Sequence, residues 1–574
     1  MIKVYFKNYK RGAGYLSRWR TNFVHGCFFL GFSILLLRAI YLQAVLDHYL
    51  LKKGQAISSH VVDIPASRGR ILDRSGVVLA MSVPVRSVWL SPSDFSLGRF
   101  KDDADRQRRF YSLKKLLNVK DSFFQDKIHS HSDWVCVKKN VPPRIAHQIA
   151  DLDVPGIYLQ RDYKRYYPAR ESAAQLVGIN DVNDLGQSGV ERLFENVLRG
   201  TSGSRRVLRD RKGRAVDDVE AIRVPVQGKD VVLSIDHNLQ EETYNALLEK
   251  VKETGAAAGS AMVVDTLTGE ILALVNVPSL NPNNRRYFRW SNFRNRAFTD
   301  MFEPGSTMKP FAVSLALEQH KVIPGTVINT EGGHFRVGTS RISDMHPTDH
   351  LTVTQIVQKS SNIGMSKIAL MLSCASMWRV LHQLGFGQLT ELGFGGEAAG
   401  ILKPGSKWRK IEQVTISYGQ GISVTLAQLV RAYTVFARQG QVIPLTILKT
   451  DKIAVGSRVF SPETMSMMIN ILATVVENGG TALRAKIDGY RVGGKTGTAY
   501  KVRGGRYVHR YVASFVGLAP LSHPRFVVGV MIDDPKGVNH YGGSVAAPVF
   551  HTIMLSALRR FIISPDRDEP DVFH

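Results

Sequence analysis

A chain of 574 residues is longer than one ordinary hydrophobic core supports, so two or more folded units are expected. A hydrophobic content of 44% excludes a disordered chain. The formal charge of +26 suits an anionic partner, but no zinc-finger spacing or RNP-like aromatic motif accompanies the basic residues, so nucleic acid is not expected as the partner.

Basic residues crowd the N-terminus and precede a long apolar stretch. They are Lys3, Lys7, Lys10, Arg11, Arg18 and Arg20. Residues 23–46 are almost uninterruptedly apolar, long enough to span the hydrocarbon layer as a helix, and no small-x-small cleavage site follows. Because positive flanks stay in the cytoplasm, the sequence predicts a cytoplasmic tail over residues 1–20 and an uncleaved anchor over residues 21–46. Arg38, inside the anchor, is expected to snorkel outward or to face a partner helix.

Short apolar runs separated by turn residues follow the anchor. The segment over residues 70–79 carries an Asp-x-x-Gly turn signal between two such runs, which predicts a β-hairpin. The pattern changes near residue 226, where the segment Val-Val-Leu-Ser-Ile-Asp over residues 231–236 precedes a helical pattern over residues 239–251. We therefore expect a first exported domain over residues 47–225 and a second over residues 226–574.

The second domain mixes strands and helices. Strand-like runs over residues 261–265 and 270–275 are joined by Thr-Gly and predict a hairpin. Further strands are predicted over residues 511–518 and 526–532. Helical patterns lie between them, over residues 309–319, 353–372 and 425–438. Strands at both ends with helices between indicate an α/β unit whose terminal strands share one sheet.

Three short motifs occur in order in this domain: Ser306-Thr-Met-Lys309, Ser360-Ser-Asn362 and Lys495-Thr-Gly497. Each is weak alone, because Ser112-Leu-Lys-Lys115 also satisfies the first pattern. Order and context add specificity. Ser306 follows Glu-Pro-Gly, a turn that sets it at the start of a helix, and the Lys-Thr-Gly motif lies among strand-like residues.

Ser306 and Lys309 fit a nucleophile and its base. A serine hydroxyl attacks only when a base removes its proton, and a lysine three residues on along a helix lies on the same face. Lys309 can be that base only when neutral, a state that burial and a neighbouring cation such as Lys495 favour. The start of the helix offers backbone N–H groups to a developing oxyanion.

The other two motifs fit proton relay and substrate binding. Ser360 could pass a proton to a leaving amine, and Asn362 can donate and accept at once, which suits a substrate amide. Helix capping is the alternative role for both residues.

The strand that begins at Lys495 is expected to bind substrate. It offers the Lys495 ammonium and the hydroxyls of Thr496 and Thr498 to a carboxylate. Gly497 removes a side chain where a peptide must lie close.

Residues 489–496 also match the phosphate-loop pattern G-x-x-x-x-G-K-[ST] letter for letter. That motif binds phosphate only between a strand and a following helix. Residues 498–510 contain Gly-Gly and alternate Tyr with Val, which does not predict an amphipathic helix. A nucleotide site is therefore not expected, and neither a cofactor nor a metal ion is predicted.

Over longer strings the chain resembles class B penicillin-binding proteins, most closely the division-specific, FtsI-like type. The resemblance runs from the anchor to near residue 550. The strings that carry it are Arg68-Gly-Arg-Ile-Leu-Asp-Arg-Ser-Gly76, Asn295-Arg-Ala-Phe-Thr-Asp-Met-Phe-Glu-Pro-Gly-Ser306-Thr-Met-Lys309, Tyr418-Gly-Gln-Gly-Ile-Ser-Val-Thr425, Gly494-Lys-Thr-Gly-Thr-Ala499 and Tyr541-Gly-Gly-Ser-Val-Ala-Ala-Pro548. Ser360-Ser-Asn362 and Lys495-Thr-Gly497 favour the division type, since elongation-type relatives tend to carry Asp and Ser at the third and second positions. Ser188-Gly-Val-Glu191 departs mildly from the family's Gly-Ile-Glu.

This resemblance implies a fold and a reaction. The fold is an α/β (α+β) transpeptidase domain with a five-stranded-type sheet flanked by helices, an elongated β-rich pedestal (dimerisation) domain and one transmembrane helix. The reaction is serine-type D-Ala-D-Ala transpeptidation. Ser306 would form an acyl-enzyme with the penultimate D-Ala of a peptidoglycan stem peptide, release the terminal D-Ala, and pass the acyl group to an amine of a neighbouring stem.

The resemblance also assigns roles within the site. It gives the oxyanion amides to Ser306 and Thr498, and the contacts with the substrate carboxylate to Thr496 and Thr498. Because β-lactams mimic the D-Ala-D-Ala end, they are expected to become trapped on Ser306.

A cellular place and partners are implied as well. The chain is expected in the bacterial inner membrane as a single-pass protein, with its N-terminus cytoplasmic and its bulk periplasmic. Its partners at the division septum would be an FtsW-like polytopic glycosyltransferase and other divisome membrane proteins. Such a partner would give Arg38 a contact.

Two other functions stay open. A catalytically silent scaffold would only bind other wall-building proteins, although the intact set Ser306, Lys309 and Lys495 argues against it. A D,D-carboxypeptidase or β-lactam sensor would hydrolyse the same acyl-enzyme, and no sequence string reports access of water to it.

Overall fold

The computed structural model describes residues 18–49, 59–97, 100–130, 132, 134–209, 215–286, 289–537 and 539–567. The chain divides into two compact units. The first comprises Met1–Pro65, Ser87–Gln160 and Ser202–Pro225, and the second comprises Ala66–Arg86, Arg161–Thr201 and Val226–His574. The predicted domain boundary at residue 225 stays a prediction, and residues 1–17 of the predicted tail lie outside the described residues.

The described helices and strands have the following bounds. The α-helices are α1 Arg18–Ile40, α2 Pro92–Leu97, α3 Asp103–Leu117, α4 Asp121–Ile128, α5 Pro143–Asp151, α6 Ala174–Val177, α7 Gly189–Leu193, α8 Glu195–Leu198, α9 His237–Glu253, α10 Trp290–Phe293, α11 Arg296–Thr299, α12 Lys309–Glu318, α13 Val353–Gln358, α14 Asn362–Leu370, α15 Cys374–Gln383, α16 Lys410–Ser417, α17 Leu426–Ala437, α18 Pro462–Thr474 and α19 Gly542–Arg560. The strands are β1 Ser59–Ile64, β2 Ile71–Leu72, β3 Val78–Leu90, β4 Val135–Val141, β5 Ile157–Tyr166, β6 Gly203–Arg209, β7 Ala215–Arg223, β8 Val231–Val232, β9 Ala258–Asp265, β10 Ile271–Val277, β11 Val327–Asn329, β12 His334–Val337, β13 Ser340–Ser343, β14 His350–Thr352, β15 Gln441–Val442, β16 Ser457–Arg458, β17 Gly493–Arg503, β18 Arg506–Ala519 and β19 Phe526–Asp533.

The predicted anchor segment is helical. Helix α1 continues through a π-helical turn, Tyr41–Val45, and the combined 28-residue stretch is long and apolar enough to cross a membrane. None of the residues in α1 is buried, as expected for a segment whose apolar side chains meet lipid rather than a protein core.

The first unit contains a sheet and a helical cluster. Strands β1, β6 and β7 form a three-stranded antiparallel sheet with β6 in the centre. The helical cluster has its own core, to which α3 contributes Leu113 and Leu117, α4 contributes Phe124 and α5 contributes Ile149. Asp102 caps α3 by accepting a hydrogen bond from Asp105 N at 2.6 Å.

The second unit is organised around a five-stranded sheet of order β10-β9-β19-β18-β17, in which all neighbours are antiparallel. The predicted hairpin is β9–β10, and the strands predicted near the C-terminal end lie in β18 and β19, next to β9. The prediction of one shared sheet is therefore confirmed. Strand β17, which contains the Lys-Thr-Gly motif, is an edge strand of this sheet.

Helices cover both faces of this sheet. A Cβ added to Gly259 would lie 3.0 Å from Leu247 of α9, and one added to Gly529 would lie 2.3 Å from Val430 of α17. Gly259 pairs with Ile532, three positions from Gly529 on β19, so the two helices lie on opposite faces. Helix α19 packs against α9 and the sheet.

Near the predicted start of the second domain, residues 231–232 form the short strand β8, and Asp236 then caps α9 by accepting from Leu239 N at 3.0 Å. One sequence prediction needs correction. The helical pattern over residues 353–372 is broken between α13 and α14, where Ser360 has φ +64°. Ser361 then caps α14 by accepting from Gly364 N at 2.9 Å.

The phosphate-loop match is not followed by a helix. Gly493 begins β17, so the lysine and threonine of that pattern lie inside a strand. The backbone N–H groups that a helix N-terminus would direct at a phosphate are therefore paired in the sheet, in agreement with the sequence-based exclusion.

A buried ion cluster surrounds Arg68, which begins the first of the strings that carry the family resemblance. Arg68 Nε and Arg165 Nε each lie 2.6 Å from a carboxylate oxygen of Glu191. Arg68 also contacts Glu195 at 2.7 Å. The side chains of Arg68 and Glu191 are both 0% exposed, so their charges compensate each other away from water.

Candidate active site

Ser306 lies in a 3-10 turn, Gly305–Met308, that runs directly into α12. The turn is fixed from one side by Gly305 N, which donates to Gly419 O at 3.1 Å. The Ser306 side chain is half-buried, and its hydroxyl has no hydrogen-bond partner among the described residues. It is therefore available to a ligand, at the helix start that the sequence predicts.

The Lys309 amine joins the first two motifs. Its Nζ lies 3.2 Å from Ser360 Oγ and 2.9 Å from Asn362 Oδ1, and it donates to Ser360 O at 2.5 Å. Ser360 has a left-handed backbone between α13 and α14, and both its carbonyl and its hydroxyl lie against the amine. Lys309 thus contacts the predicted relay residue and the predicted amide-binding residue, while its amine is not hydrogen-bonded to the Ser306 hydroxyl.

Burial sets the protonation of both lysines. It lowers the pKa of Lys309 to about 7, and the Asp344 carboxylate opposes that shift. Burial also lowers the pKa of Lys495 well below its usual range, and repulsion from Lys309 adds to the effect. The neutral Lys309 amine required of a base is therefore accessible near neutral pH, with burial rather than Lys495 as the main cause.

The residues of the third motif are held in place by neighbouring groups. Lys495 Nζ lies 3.1 Å from Thr496 Oγ1, which in turn lies 3.0 Å from Thr481 Oγ1. Thr498 Oγ1 accepts from Gly542 N at 3.0 Å. Two hydroxyls and the Lys495 amine therefore lie along one edge strand, the groups that the sequence predicts for a carboxylate.

Strand β17 lies directly against the nucleophile turn. A Cβ added to Gly497 would stand 2.6 Å from Pro304 O, and one added to Gly305 would stand 3.2 Å from Thr498 O. Only glycine at position 497 allows this approach. The structure thus brings the turn of Ser306 together with the strand of Lys495, in addition to the contacts of Lys309 with Ser360 and Asn362.

Sequence reasoning missed Asp344, which follows β13. Its carboxylate accepts from Asn362 N at 2.5 Å and Ile363 N at 3.1 Å, and also from the Ser361 hydroxyl. An anion at a helix N-terminus is favourable, so Asp344 holds the start of α14 and the Ser-Ser-Asn motif in position. No local pattern connects this residue to that motif.

Sequence reasoning also assigned no role to Glu303 and the tyrosines near it. Glu303 Oε1 accepts from Gly421 N at 2.8 Å, and the Tyr507 hydroxyl donates to Glu303 Oε2 at 3.0 Å. Burial raises the pKa of Glu303. Burial and the Asp344 charge raise the pKa of Tyr418 to about 12. Both Glu303 and Tyr418 lie in strings that carried the family resemblance, and this is the only signal that could have found them.

The chain is similar to known proteins over nearly its full length. The penicillin binding protein transpeptidase domain matches residues 259–555, and the penicillin-binding protein dimerisation domain matches residues 63–233. The peptidoglycan D,D-transpeptidase FtsI of Escherichia coli strain K12 is 38% identical over 563 residues, which cover 98% of this chain and 95% of that protein. The probable peptidoglycan D,D-transpeptidase PenA of Neisseria gonorrhoeae is 37% identical over 555 residues, 96% of this chain and 94% of that one.

A solved structure agrees with these relatives. The apo structure of the TP domain of penicillin-binding protein 3 from Burkholderia pseudomallei is 47% identical with a TM-score of 0.54, covering 58% of this chain and 98% of that chain. The chain belongs to the penicillin-binding protein transpeptidase family. The resemblance read from the sequence is therefore confirmed, as is the mixed α/β fold class.

Proposed function

We propose that this protein is a peptidoglycan D,D-transpeptidase of the division septum that works through an acyl-enzyme on Ser306. The observation that carries the proposal is the buried Lys309 amine, which contacts Ser360 and Asn362 at the base of the nucleophile turn, while β17 lies against the same turn. The relatives FtsI and PenA are named as a peptidoglycan D,D-transpeptidase and a probable one, and these names support the reaction.

Acylation begins with proton removal. Neutral Lys309 takes the Ser306 proton as Oγ attacks the carbonyl of the penultimate D-Ala of a stem peptide. The N–H groups of Ser306 and Thr498 stabilise the oxyanion. Ser360, hydrogen-bonded to the Lys309 amine, returns the proton to the leaving D-Ala. The ester on Ser306 is then ready for an acceptor.

Binding of the donor peptide uses the edge strand and the Ser-Ser-Asn motif. The terminal carboxylate is held by the hydroxyls of Thr496 and Thr498 and by Lys495, whose protonated form the bound carboxylate favours. Asn362 holds a peptide amide, and Gly497 leaves room for the backbone of the ligand. A β-lactam presents the same carboxylate and carbonyl, so it acylates Ser306.

Fluorescent penicillin tests the nucleophile. We expect it to label the membrane-bound chain, and we expect Ser306→Ala to abolish the label. Ser112→Ala is the matched control, because Ser112 begins the chance copy of the Ser-x-x-Lys pattern. Intact-mass analysis followed by peptide mapping should then place the adduct on the Ser306 peptide. A label that persists in Ser306→Ala would refute the assignment.

The silent scaffold and the hydrolase are separated by different measurements. Complementation of a depleted strain by Ser306→Ala would favour the scaffold. Free D-Ala released from purified wall precursor without cross-linked dimer would favour the carboxypeptidase or sensor. We expect neither result.

Membrane topology and partners belong to the same proposal. The basic flank before α1 supports a cytoplasmic N-terminus and a periplasmic bulk in a bacterial inner membrane. An FtsW-like polytopic glycosyltransferase and other divisome proteins are the proposed partners, with Arg38 facing a partner helix. Protease protection in spheroplasts tests the orientation, and site-specific photocrosslinking from position 38 tests the contact.

A further inference from the structure

Cross-linking ends when an amine attacks the Ser306 ester, and at neutral pH that amine arrives as an ammonium ion. The residues assigned to acylation offer it no anion, since they supply two amines, two hydroxyls and an amide. They are Ser306, Lys309, Ser360, Asn362 and Lys495. A carboxylate near this set would draw the ammonium in and receive the proton that it must lose before it can attack.

Asp344 is not available to an incoming ammonium ion. Both of its carboxylate oxygens accept hydrogen bonds from the start of α14, through Ser361 Oγ, Asn362 N and Ile363 N. The Glu303 carboxylate can accept further hydrogen bonds. Its Oε1 accepts from Gly421 N at 2.8 Å, and its Oε2 accepts only from the Tyr507 hydroxyl, at 3.0 Å.

Glu303 is fixed close to the nucleophile. Three peptide units separate the two residues, so their Cα atoms are at most about 11 Å apart, and the turn at Pro304 and Gly305 shortens that distance. The segment is held by the bridge between Phe302 and Val424. Because this segment is short and is held by that bridge, the Glu303 carboxylate keeps its position relative to Ser306.

No cation neutralises this carboxylate. Among the described residues, no lysine, arginine or histidine nitrogen lies within 4.0 Å of Glu303, and its hydrogen-bond donors are neutral. The pKa of Tyr507 is raised by burial and by Glu303 itself, so its hydroxyl stays protonated and remains a donor. A half-buried carboxylate with no cationic partner suits an incoming ammonium ion.

We propose that Glu303, positioned by Tyr507 and Gly421, binds the acceptor ammonium and takes up its proton during attack on the acyl-enzyme. This inference rests on the proposed function, since it names the acceptor subsite of the same active site. Tyr507 is a positioning residue in this scheme.

Aminolysis of the Ser306 ester moves two protons from the acceptor nitrogen and replaces one bond at the carbonyl carbon. The ammonium loses one proton to the Glu303 carboxylate, and the resulting amine nitrogen forms a bond to the carbonyl carbon of the ester. As the tetrahedral adduct collapses, the bond from that carbon to Ser306 Oγ breaks. The second proton of the nitrogen passes through the Lys309 amine to Ser306 Oγ. Glu303 then releases its proton to water, and the products are an amide and free enzyme.

Partition of the acyl-enzyme between amine and water tests the proposal. The full-length protein is given a thioester donor that ends in an acylated D-alanine, with D-alanine as acceptor, and the ratio of aminolysis to hydrolysis is measured. Glu303→Gln keeps the hydrogen-bond acceptor but loses the charge. We expect it to lower this ratio at least tenfold and to raise the acceptor KM, with a much smaller change in the rate of penicillin acylation.

Three controls sharpen the measurement. Hydroxylamine is uncharged at neutral pH, so the ratio measured with it should not respond to Glu303→Gln. Glu303→Asp should restore part of the ratio measured with D-alanine. Glu463→Gln removes an exposed carboxylate in the first turn of α18 and should leave the ratio unchanged.

Two results would overturn the inference. One is a ratio in Glu303→Gln equal to that of the wild type. The other is an equal loss of penicillin acylation and aminolysis, which indicates a purely structural role. If Glu303→Gln fails to fold, Tyr507→Phe serves instead, with an expected fall of about threefold in the ratio, and no change refutes the proposal. Failure of the proposed function looks different, since the wild type itself would then not be acylated by penicillin.

Discussion

Two groups of buried ionisable side chains in the second unit differ in whether opposite charges compensate each other. Around Glu191, two guanidinium groups lie 2.6 Å from its carboxylate, and the Glu195 carboxylate, 2.7 Å from Arg68, completes the charge compensation. Around Lys309, two buried amines share a region with hydroxyls and an amide, and burial, aided by repulsion between the amines, lowers the pKa of Lys495. Compensated charges stay ionised when buried, whereas like charges favour the neutral form.

The cluster around Glu191 serves structure, and the pair of lysines around Lys309 serves chemistry. A buried ion cluster fixes the geometry of the segments that it joins, and losing one member leaves a charge without its counter-ion. Two buried lysines cost stability, yet they yield an amine that can accept a proton near neutral pH. Four changes test this contrast, from the largest expected effect to the smallest.

Lys309→Met removes the proposed base. We expect the rate of penicillin acylation to fall by about 10²–10⁴-fold, the usual contribution of a general base. Because the methionine removes a buried, partly charged amine, the free energy of unfolding near pH 7 should rise by at least about 1 kcal/mol. Stopped-flow acylation and denaturant unfolding measure the two effects. Unchanged acylation would exclude Lys309 as the base.

Glu191→Ala breaks the compensated cluster. Arg68 and Arg165 would then be buried without their shared counter-ion, which should cost about 3–5 kcal/mol of unfolding free energy. Thermal unfolding of the variant measures this loss, with the exposed Glu463→Gln as the control. Penicillin acylation per folded molecule should stay near that of the wild type. A loss within 1 kcal/mol would show that the cluster is not a stabilising element.

The pH dependence of acylation reports the Lys309 amine. Because its pKa is about 7 and the neutral form is reactive, the acylation rate should rise about tenfold per pH unit below that value and level off above it. The free energy of unfolding also rises with pH. Between about pH 7 and the ordinary lysine value of 10.5, the unfolded chain binds the extra proton, so stability rises with pH. An acylation profile that is flat between pH 5 and 8 would contradict the first statement, and an unfolding free energy that does not rise between about pH 7 and 10.5 would contradict the second.

Asp344→Asn is expected to have the smallest effect. The amide still accepts one hydrogen bond from the start of α14, but the charge is lost, at a cost of about 1 kcal/mol in unfolding free energy. Since the Asp344 charge raises the pKa of Lys309, its removal should shift the midpoint of the acylation profile to lower pH. A shift to higher pH would mean that Asp344 does not act on Lys309 electrostatically.

Much of the fold was predictable because its signals are local. The hairpin of β9 and β10, the strands β18 and β19, and helices α9, α12 and α17 follow from alternation, helical periodicity and turn residues. The break at Ser360 was not predictable, since the hydrophobic pattern continues across it. Its left-handed backbone depends on contacts with Lys309 and, through Ser361, with Asp344, which are distant in sequence.

For the candidate site, the three motifs predicted the chemical groups but not how they are linked. The strand of Lys495 and the turn of Ser306 meet because Gly497 and Gly305 allow close approach across almost two hundred positions. Asp344 and Tyr507 were missed for the same reason: their partners are determined by tertiary structure. The roles assigned to Ser306, Lys309, Ser360, Asn362, Lys495 and the strand residues stay predictions until they are tested.

The positive φ of Ser360 also constrains how this protein can evolve under antibiotic selection. In the left-handed region a β-branched or bulky side chain is strained, while glycine and asparagine are tolerated. Resistance that proceeds by replacing this residue therefore has few substitutes that preserve the backbone. Glycine is also the cleanest chemical probe, since Ser360→Gly deletes the hydroxyl and leaves the loop free to keep its shape.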